Sequence, residues 1–287
     1  VNRTAILVGC AELPEGDGDE HAVPAALTEL GFDVSWASWD DPRVDFAAAD
    51  AVILRATWDY PERRSEFLGW CESVPALYNP AAVVRWNTDK SYLAELLDAG
   101  LAVVPTTLVE PGSQAKFPKS AYVVKPSVGA GSRGAARFDA GADASQHVAA
   151  LHAEDLTALI QPYQSSVDSE GELALVYIGG IYSHAFAKGA MLGSTMDASG
   201  LYLTEQLAKA EPPADAIALA EDTLDATSAL LGILRAELLY ARVDLVRGTD
   251  GKPLLLELEL TEPSLGFRQT DPAAAMRFAS AVRQQLT

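Results

Sequence analysis

Between Arg242 and Phe267 the chain reads RVDLVRGTDGKPLLLELELTEPSLGF, and this stretch constrains the fold more than any other. Asp250-Gly251 is a hairpin signal, because both central residues of a two-residue turn need φ > 0. Val243 to Val246 and Leu254 to Leu260 are apolar enough to be its two strands. With the turn at its shortest, Asp244 lies across from Glu257 and Arg242 across from Glu259. Period-2 alternation puts these four on one face and Leu256, Leu258 and Leu260 on the other, toward a core. Facing carboxylates repel. A fold tolerates them when a cation sits between them. Hard oxygen ligands suit Mg²⁺, which takes one or two carboxylates plus phosphate oxygens and water. An amphipathic hairpin with a solvated acidic face is the competing explanation. The pairing depends on a tight turn, since one bulged residue would break it.

At 287 residues the chain is long enough for two or three subdomains around a sizeable core. A formal net charge of −19 argues against a nucleic-acid backbone or an anionic membrane as partner. Cys10 and Cys71 sit beside apolar residues and read as buried free thiols in a reducing compartment. The sequence opens on an apolar strand without a signal-like segment, and no apolar run approaches about 18 residues. The expectation is a soluble cytoplasmic protein.

Ala5 to Cys10 reads as a strand, Val23 to Leu30 as a helix stopped by Gly31, and Asp33 to Trp36 and Ala51 to Ala56 as further strands. This rhythm predicts a small parallel α/β domain. Its third strand runs into LRATWDY. Ligands of open α/β sheets lie beyond the carboxyl ends of the strands, so Arg55, Trp58 and Asp59 are candidates to touch a small substrate. A polar corner at a domain interface explains them equally well. Arg63 to Trp70 reads as an outer helix and Leu77 to Asn79 as a last short strand. Asn87 or Thr88 can then cap a helix carrying Leu93, Leu96 and Leu97, ended by Gly100. Lys90 falls in its first turn, where the helix dipole disfavours a cation unless an anion is near.

Tyr122 to Lys125 is a strand ending in lysine, followed by PSVGAGSRG. Gly129, Gly131 and Gly134 match G-x-G-x-x-G, and Asp155 lies near the distance of a ribose-binding acid. The dinucleotide reading fails because that fingerprint must open a helix, whereas Ala135 to Phe138 looks like a returning strand. No Gly-Lys-Ser/Thr makes it a Walker A loop. A glycine loop between antiparallel strands fits better, its N–H groups with Ser132 and Arg133 able to close over phosphates; a plain hairpin is the alternative. Ala158 to Tyr163 is a strand that Pro162 ends, a plausible hinge whose backbone groups could meet an adenine edge. Gln164 to Glu170 reads as linker. Leu173 to Ile178 and Ile181 to Ala187 form a hairpin across Gly179-Gly180, with His184 and Lys188 on the return strand. Met191 to Tyr202 reads as loop, Glu211 to Leu231 contains a long helix, and Asp271 to Gln285 closes the chain as another. His21, His147, His152 and His184 have no zinc-ligand spacing.

In order, TDK at Thr88 to Lys90, VVKPSVGAGSRG at Val123 to Gly134, IQPY at Ile160 to Tyr163, RVD at Arg242 to Asp244 and ELELTEP at Glu257 to Pro263 resemble the ATP-grasp superfamily. That group includes glutathione synthetase and D-alanine–D-alanine ligase. The resemblance covers the whole chain. It implies an α/β and α+β architecture: a small N-terminal parallel α/β domain over residues 1–86, then two α+β subdomains, 87–163 with the glycine-rich flap and 164–287 with the metal hairpin, gripping ATP.

Carried over by position, Lys90 and Lys125 look like the phosphate-contacting lysines. Gly129, Gly131 and Ser132 look like part of the flap, and Gln161, Pro162 and Tyr163 like the adenine hinge. Asp244, Glu257 and Glu259 look like ligands of one or two Mg²⁺ ions, with Mn²⁺ as a substitute. Arg242 looks like the arginine that steadies the transferring phosphate, with Lys188 as a looser basic match. His184 joins Arg55, Trp58 and Asp59 as a substrate candidate. Many members carry Asn where this chain has Glu259, and glutathione synthetases carry arginine near Glu172, which speaks against a glutathione-type substrate. The implied reaction activates a small amino-acid-like carboxylate as an acyl phosphate and forms a C–N bond, within one molecule or between two. A small-molecule kinase and a non-catalytic ATP-binding module are the alternatives.

Overall fold

The computed structural model describes residues 3–189, 199–202 and 206–286. Most of the loop expected at Met191 to Tyr202 lies outside them.

Four strands, β1 (Arg3–Gly9), β2 (Phe32–Ser38), β3 (Ala51–Ala56) and β4 (Leu77–Tyr78), form a parallel sheet in the order β2-β1-β3-β4. A parallel sheet needs cover on both faces. Alternation in β1 and β3 supplies two apolar faces: Ala5, Leu7 and Ile53 enter one core cluster, and Ile6, Val8, Val52 and Leu54 another. Helix α1 (Val23–Glu29) covers the first face. Helix α2 (Arg64–Ser73) covers the second with Phe67, Leu68 and Cys71. Both cysteines are free and buried.

Helices α3 (Ala81–Asn87) and α4 (Tyr92–Asp98) lead on. An antiparallel sheet follows, of β5 (Thr107–Val109), β6 (Tyr122–Pro126), β7 (Ala136–Phe138) and β8 (Ala158–Pro162) in the order β5-β8-β6-β7. Helix α5 (Ser145–Ala153) packs on it. Asn87 ends α3 rather than capping α4; its side chain is spent elsewhere. The stretch expected to be linker holds a short helix, α6 (Val167–Glu170).

The largest sheet combines β9 (Glu172–Ile178), β10 (Ile181–Lys188), β11 (Leu207–Ala210), β12 (Tyr240–Arg247) and β13 (Pro253–Glu259), ordered β11-β10-β9-β12-β13 and antiparallel. Helix α7 (Ala214–Leu231) packs on one face. Helix α8 (Ala274–Gln285) turns Phe278, Ala279 and Val282 toward the other. Along β9, Leu175 and Tyr177 join the α7 side, while Ala174, Val176 and Ile178 join the same cluster as Ala5 and Leu7. The last helix packs against α1 on one side and β9 and β10 on the other, within one cluster that joins the first sheet to the last.

Across β12 and β13, Arg242 pairs with Glu259, Val243 with Leu258 and Asp244 with Glu257. This is the expected pairing, reached by a different route. The turn is one residue longer than the minimum, since Arg247 pairs with Pro253 and the Gly248 N–H donates to the Lys252 carbonyl at 2.8 Å. A bulge then restores the register, because Leu245 pairs with Leu255 and Leu256 is left over. The two shifts cancel. The bulge also corrects one expectation: Leu255 and Leu258 are buried in the core, while Leu256 is only half-buried and borders the cleft described below.

Candidate active site

A cleft opens between the two antiparallel sheets. Lys90, Lys125, Lys188 and Arg242 all border it, together with Glu172, Glu257, Glu259 and Glu262. Lys90 precedes α4, and its Nζ donates to the Gly129 carbonyl at 2.6 Å and lies 3.2 Å from Glu257 Oε1. Lys125, near the end of β6, reaches the other Glu257 oxygen at 3.9 Å. Lys188 ends β10, its Nζ 2.6 Å from Asp244 Oδ2 and 2.9 Å from Glu172 Oε2. Arg242 grips Asp244 through Nε and Nη2, both at 2.9 Å, and reaches Glu259 at 2.5 Å.

The cations that relieve the opposed carboxylates are thus the chain's own side chains. Asp244 is 1% exposed and lies beneath Lys188 and Arg242 with both oxygens taken. Among the described residues no three His, Cys, Asp or Glu side chains are grouped to hold a metal ion. The donor chemistry still suits Mg²⁺. Glu257 and Glu259 are 24% and 27% exposed, and both border the cleft with hard oxygens.

Burial would raise the carboxyls, and the balance depends on which cation is close. Arg242 and Lys188 overcome burial at Asp244 and hold it at about 2. Lys90 and Lys125 do the same at Glu257, which stays below the usual carboxylate range. Burial wins at Glu259, pushed up to about 7 despite Arg242. At Glu262 burial and neighbouring Glu259 push the carboxyl to about 8. Burial lowers Lys125, with Lys90 and Lys188 adding to it and Glu257 opposing. For Lys90 burial acts downward, but the surrounding glutamates raise it above its ordinary value.

The glycine loop joins β6 and β7, and its Gly129, Gly131 and Ser132 border the cleft. Gly131 has φ +61°, and a Cβ there would meet the Leu201 carbonyl at 2.3 Å. Gln161, Pro162 and Tyr163 border the far end. Their polar groups are partly engaged: the Gln161 amide donates to Thr106 Oγ1 at 2.9 Å, and the Tyr163 N–H to the Ala121 carbonyl at 2.8 Å.

Of the residues expected near a substrate, only Trp58 borders the cleft. Asp59 accepts from the Trp39 indole at 2.9 Å and pairs with Arg63 at 2.7 Å, as a corner residue does. Arg55 and His184 are buried and serve another purpose. Six consecutive carbonyls after β13 each receive a side-chain donor. Leu260 accepts from Asn79 Nδ2 at 2.7 Å and Thr261 from the Tyr240 hydroxyl at 2.8 Å. Glu262 accepts from Trp58 Nε1 at 2.9 Å and Pro263 from Arg55 Nη2 at 2.7 Å. Ser264 accepts from Arg242 Nη1 at 2.9 Å and Leu265 from His184 Nε2 at 2.7 Å. Three donors come from the parallel sheet's carboxyl end and three from the large sheet. Asn87 adds its side-chain oxygen to the Leu260 N–H at 2.7 Å. Glu262 and this clamp were missed in the sequence, because strand alternation ends at Leu260 and the donors lie far along the chain.

A parallel sheet followed by two antiparallel sheets around a lysine- and carboxylate-lined cleft defines the ATP-grasp ligase architecture. D-alanine–D-alanine ligase from Bacillus anthracis superposes with a TM-score of 0.66 at 15% identity, over 100% of this chain and 97% of that one. A family model described as the N-terminal domain of the D-cycloserine synthetase DcsG matches residues 5–81. The cycloserine biosynthesis protein DcsG of Streptomyces lavendulae is 38% identical over 98% of both chains. The crystal structure of D-cycloserine synthetase DcsG superposes with a TM-score of 0.90 at 37% identity, covering 99% of this chain and 100% of that one. The chain belongs to the D-cycloserine synthetase family of ATP-grasp ligases. Among the described residues no helix is long and apolar enough to cross a membrane.

Proposed function

We propose that this enzyme is an ADP-forming ligase that closes the ring of D-cycloserine from O-ureido-D-serine, in antibiotic biosynthesis, using ATP and Mg²⁺. The observation that carries this reading is the cleft itself. Lys90, Lys125, Lys188 and Arg242 converge on it beside glutamates, and among the described residues no cysteine or histidine borders it. Phosphoryl transfer asks for positioning and charge neutralisation rather than a protein nucleophile.

In this reading the substrate carboxylate attacks the γ-phosphate of ATP, giving an acyl phosphate and ADP. The oxygen-bound nitrogen of the same molecule then attacks the acyl carbon and displaces phosphate, and its carbamoyl group leaves with one water as carbon dioxide and ammonia. Lys90 and Lys125 neutralise the ATP phosphates, and Arg242 and Lys188 steady the transferring group. Gly129, Gly131 and Ser132 lie over the phosphates, and Gln161, Pro162 and Tyr163 hold adenine. Glu257, Glu259 and Asp244 would hold one or two Mg²⁺ ions, and Mn²⁺ fits the same oxygens. The metal, when bound, supplies Lewis-acid charge to the phosphate oxygens. Glu257, with Lys90 and Lys125 beside it, is the best placed of the three. Residues 1–86, 87–163 and 164–287 are read as the three units of this machine. Trp58 is the one substrate candidate kept at the cleft, while Arg55, Asp59 and His184 support the walls. Closure within one molecule requires no second acceptor, whereas a kinase would transfer phosphate to a hydroxyl.

Phosphate release from ATP and Mg²⁺ with O-ureido-D-serine alone, with D-cycloserine found by mass, is the expected result. Release only with a second amine added would indicate a two-substrate ligase, and ADP without free phosphate a kinase. Glu257→Gln should lower kcat by about 10²–10³. Full turnover in that variant would remove the metal and lysine assignment.

A further inference from the structure

We propose that Glu262 forms a subsite for the substrate's amino group and thereby selects an α-amino acid for activation; this rests on the ligase reading above. Each other carboxylate that borders the cleft has a cation beside it: Lys188 at Glu172, Lys90 and Lys125 at Glu257, Arg242 at Glu259. No such ion pair involves Glu262 among the described residues, although it borders the same cleft. Lys90 attracts Glu262 through space, but burial and neighbouring Glu259 outweigh that pull, so the carboxyl keeps its proton until a cation in direct contact completes it.

The backbone around this side chain is unusually constrained. The carbonyls of Thr261, Glu262 and Pro263 are held by Tyr240, Trp58 and Arg55 at 2.8, 2.9 and 2.7 Å. Arg55 is itself fully buried and stacks 4.5 Å from the Tyr240 ring. Three buried donors thus fix the peptide units on both sides of one acid. Such support is what a recognition group needs, since its worth depends on being held in place before the ligand arrives.

Position decides between an ammonium and a metal as the occupant. Asp244, Glu257 and Glu259 lie on the paired strands beside Lys90, Lys125 and Lys188. Glu262 lies beyond the strand end, on the wall it shares with Trp58 and Tyr60 from the parallel sheet's carboxyl end. That is where small ligands of open α/β sheets lie. The cationic part of the cleft suits phosphates and the substrate carboxylate. The acidic corner at Glu262 suits the ammonium on the neighbouring carbon.

The test compares wild type, Glu262→Gln and Glu262→Asp. A charge-assisted hydrogen bond predicts a KM for O-ureido-D-serine raised about 10- to 100-fold in Glu262→Gln. The Kd for a non-hydrolysable ATP analogue with Mg²⁺ should stay within about twofold, and Glu262→Asp should recover part of the loss. Wild type should also prefer the substrate to its desamino analogue, and Glu262→Gln should lose that preference. An unchanged KM or a retained preference overturns the proposal. So does a matching loss of analogue and Mg²⁺ binding, which would move Glu262 into the metal set. Should Glu262→Gln fail to fold, a KM unchanged in Glu262→Asp overturns it and a raised one supports it. Failure of the ligase reading is separate: wild type would form no ADP from this compound. D-serine binding to the protein loaded with the ATP analogue then decides. Binding at least tenfold weaker in Glu262→Gln supports the subsite, and equal binding or none to wild type overturns it.

Discussion

Two loops face each other across the cleft and are held by opposite means. The segment from Leu260 to Leu265 has every carbonyl bound by a side chain, and most of those donors are buried. The glycine loop from Gly129 to Gly134 buries Ala130 in the cluster of Val8 and Leu54, while its Gly134 carbonyl meets His147 Nε2 at 3.0 Å at an exposed position. Lys90 reaches the Gly129 carbonyl, and Arg133 reaches the Trp58 carbonyl at 2.7 Å and Glu62 at 2.9 Å. Trp58 serves both, donating its indole N–H to one loop and accepting from the other through its carbonyl. The difference follows from cost. Breaking a buried hydrogen bond strands a polar group, whereas a contact at the rim is replaced by water. In the ligase reading, a loop that presents groups at fixed positions is built the first way, and a flap that releases ATP the second.

Removing the buried guanidinium should break the comparison most severely. Arg55→Met leaves the Pro263 carbonyl and Glu20, 3.8 Å from Arg55, without their partner. A loss of about 3–5 kcal/mol in denaturant unfolding is expected. A loss below about 1 kcal/mol would mean the clamp is ornamental.

The same corner should titrate. Burial pushes Glu20 up to about 8, although Arg55 opposes it. The folded carboxyl therefore holds its proton where the unfolded one has lost it. That contribution to stability is complete below about pH 4.5 and is lost as the pH rises through about 8. Glu20→Gln should flatten this decline, and parallel slopes of unfolding free energy against pH would contradict it.

Smaller effects belong to the glycine loop. Gly131→Ala forces a side chain into a left-handed residue against the Leu201 carbonyl, at a strain of about 1–3 kcal/mol. Its main signature should be a raised KM for ATP. Smallest of all, Arg133→Ala should cost under about 1 kcal/mol of stability while making the loop easier to cut in limited proteolysis. Equal destabilisation by Arg133→Ala and Arg55→Met would erase the distinction between the loops.

The parallel sheet, the two hairpins and the lysines at their ends were legible because apolar period and turn chemistry act over a few residues. The Asp244–Glu257 pairing was also read correctly, although a longer turn and a bulge at Leu256 cancel to produce it. Nothing local signals that pair of compensating shifts. Arg55 and His184 show the opposite failure. A charged residue at a strand end suggests a ligand, yet the Arg55 partner is a carbonyl 208 residues away. Glu262 went unnoticed because strand alternation, which singled out Glu257 and Glu259, stops before it.

By itself, the sequence determined which segments are strands and helices, which faces are apolar and which charged residue types reach the ends of the hairpins. Those properties depend on neighbours within about one or two turns of chain. Only the tertiary structure decided which carboxylate meets which cation, which polar side chains hold the loop and which one faces the cleft without an ion pair. Those choices depend on distance and burial between residues far apart in the chain, and burial sets whether a charge is paired, protonated or left for a ligand.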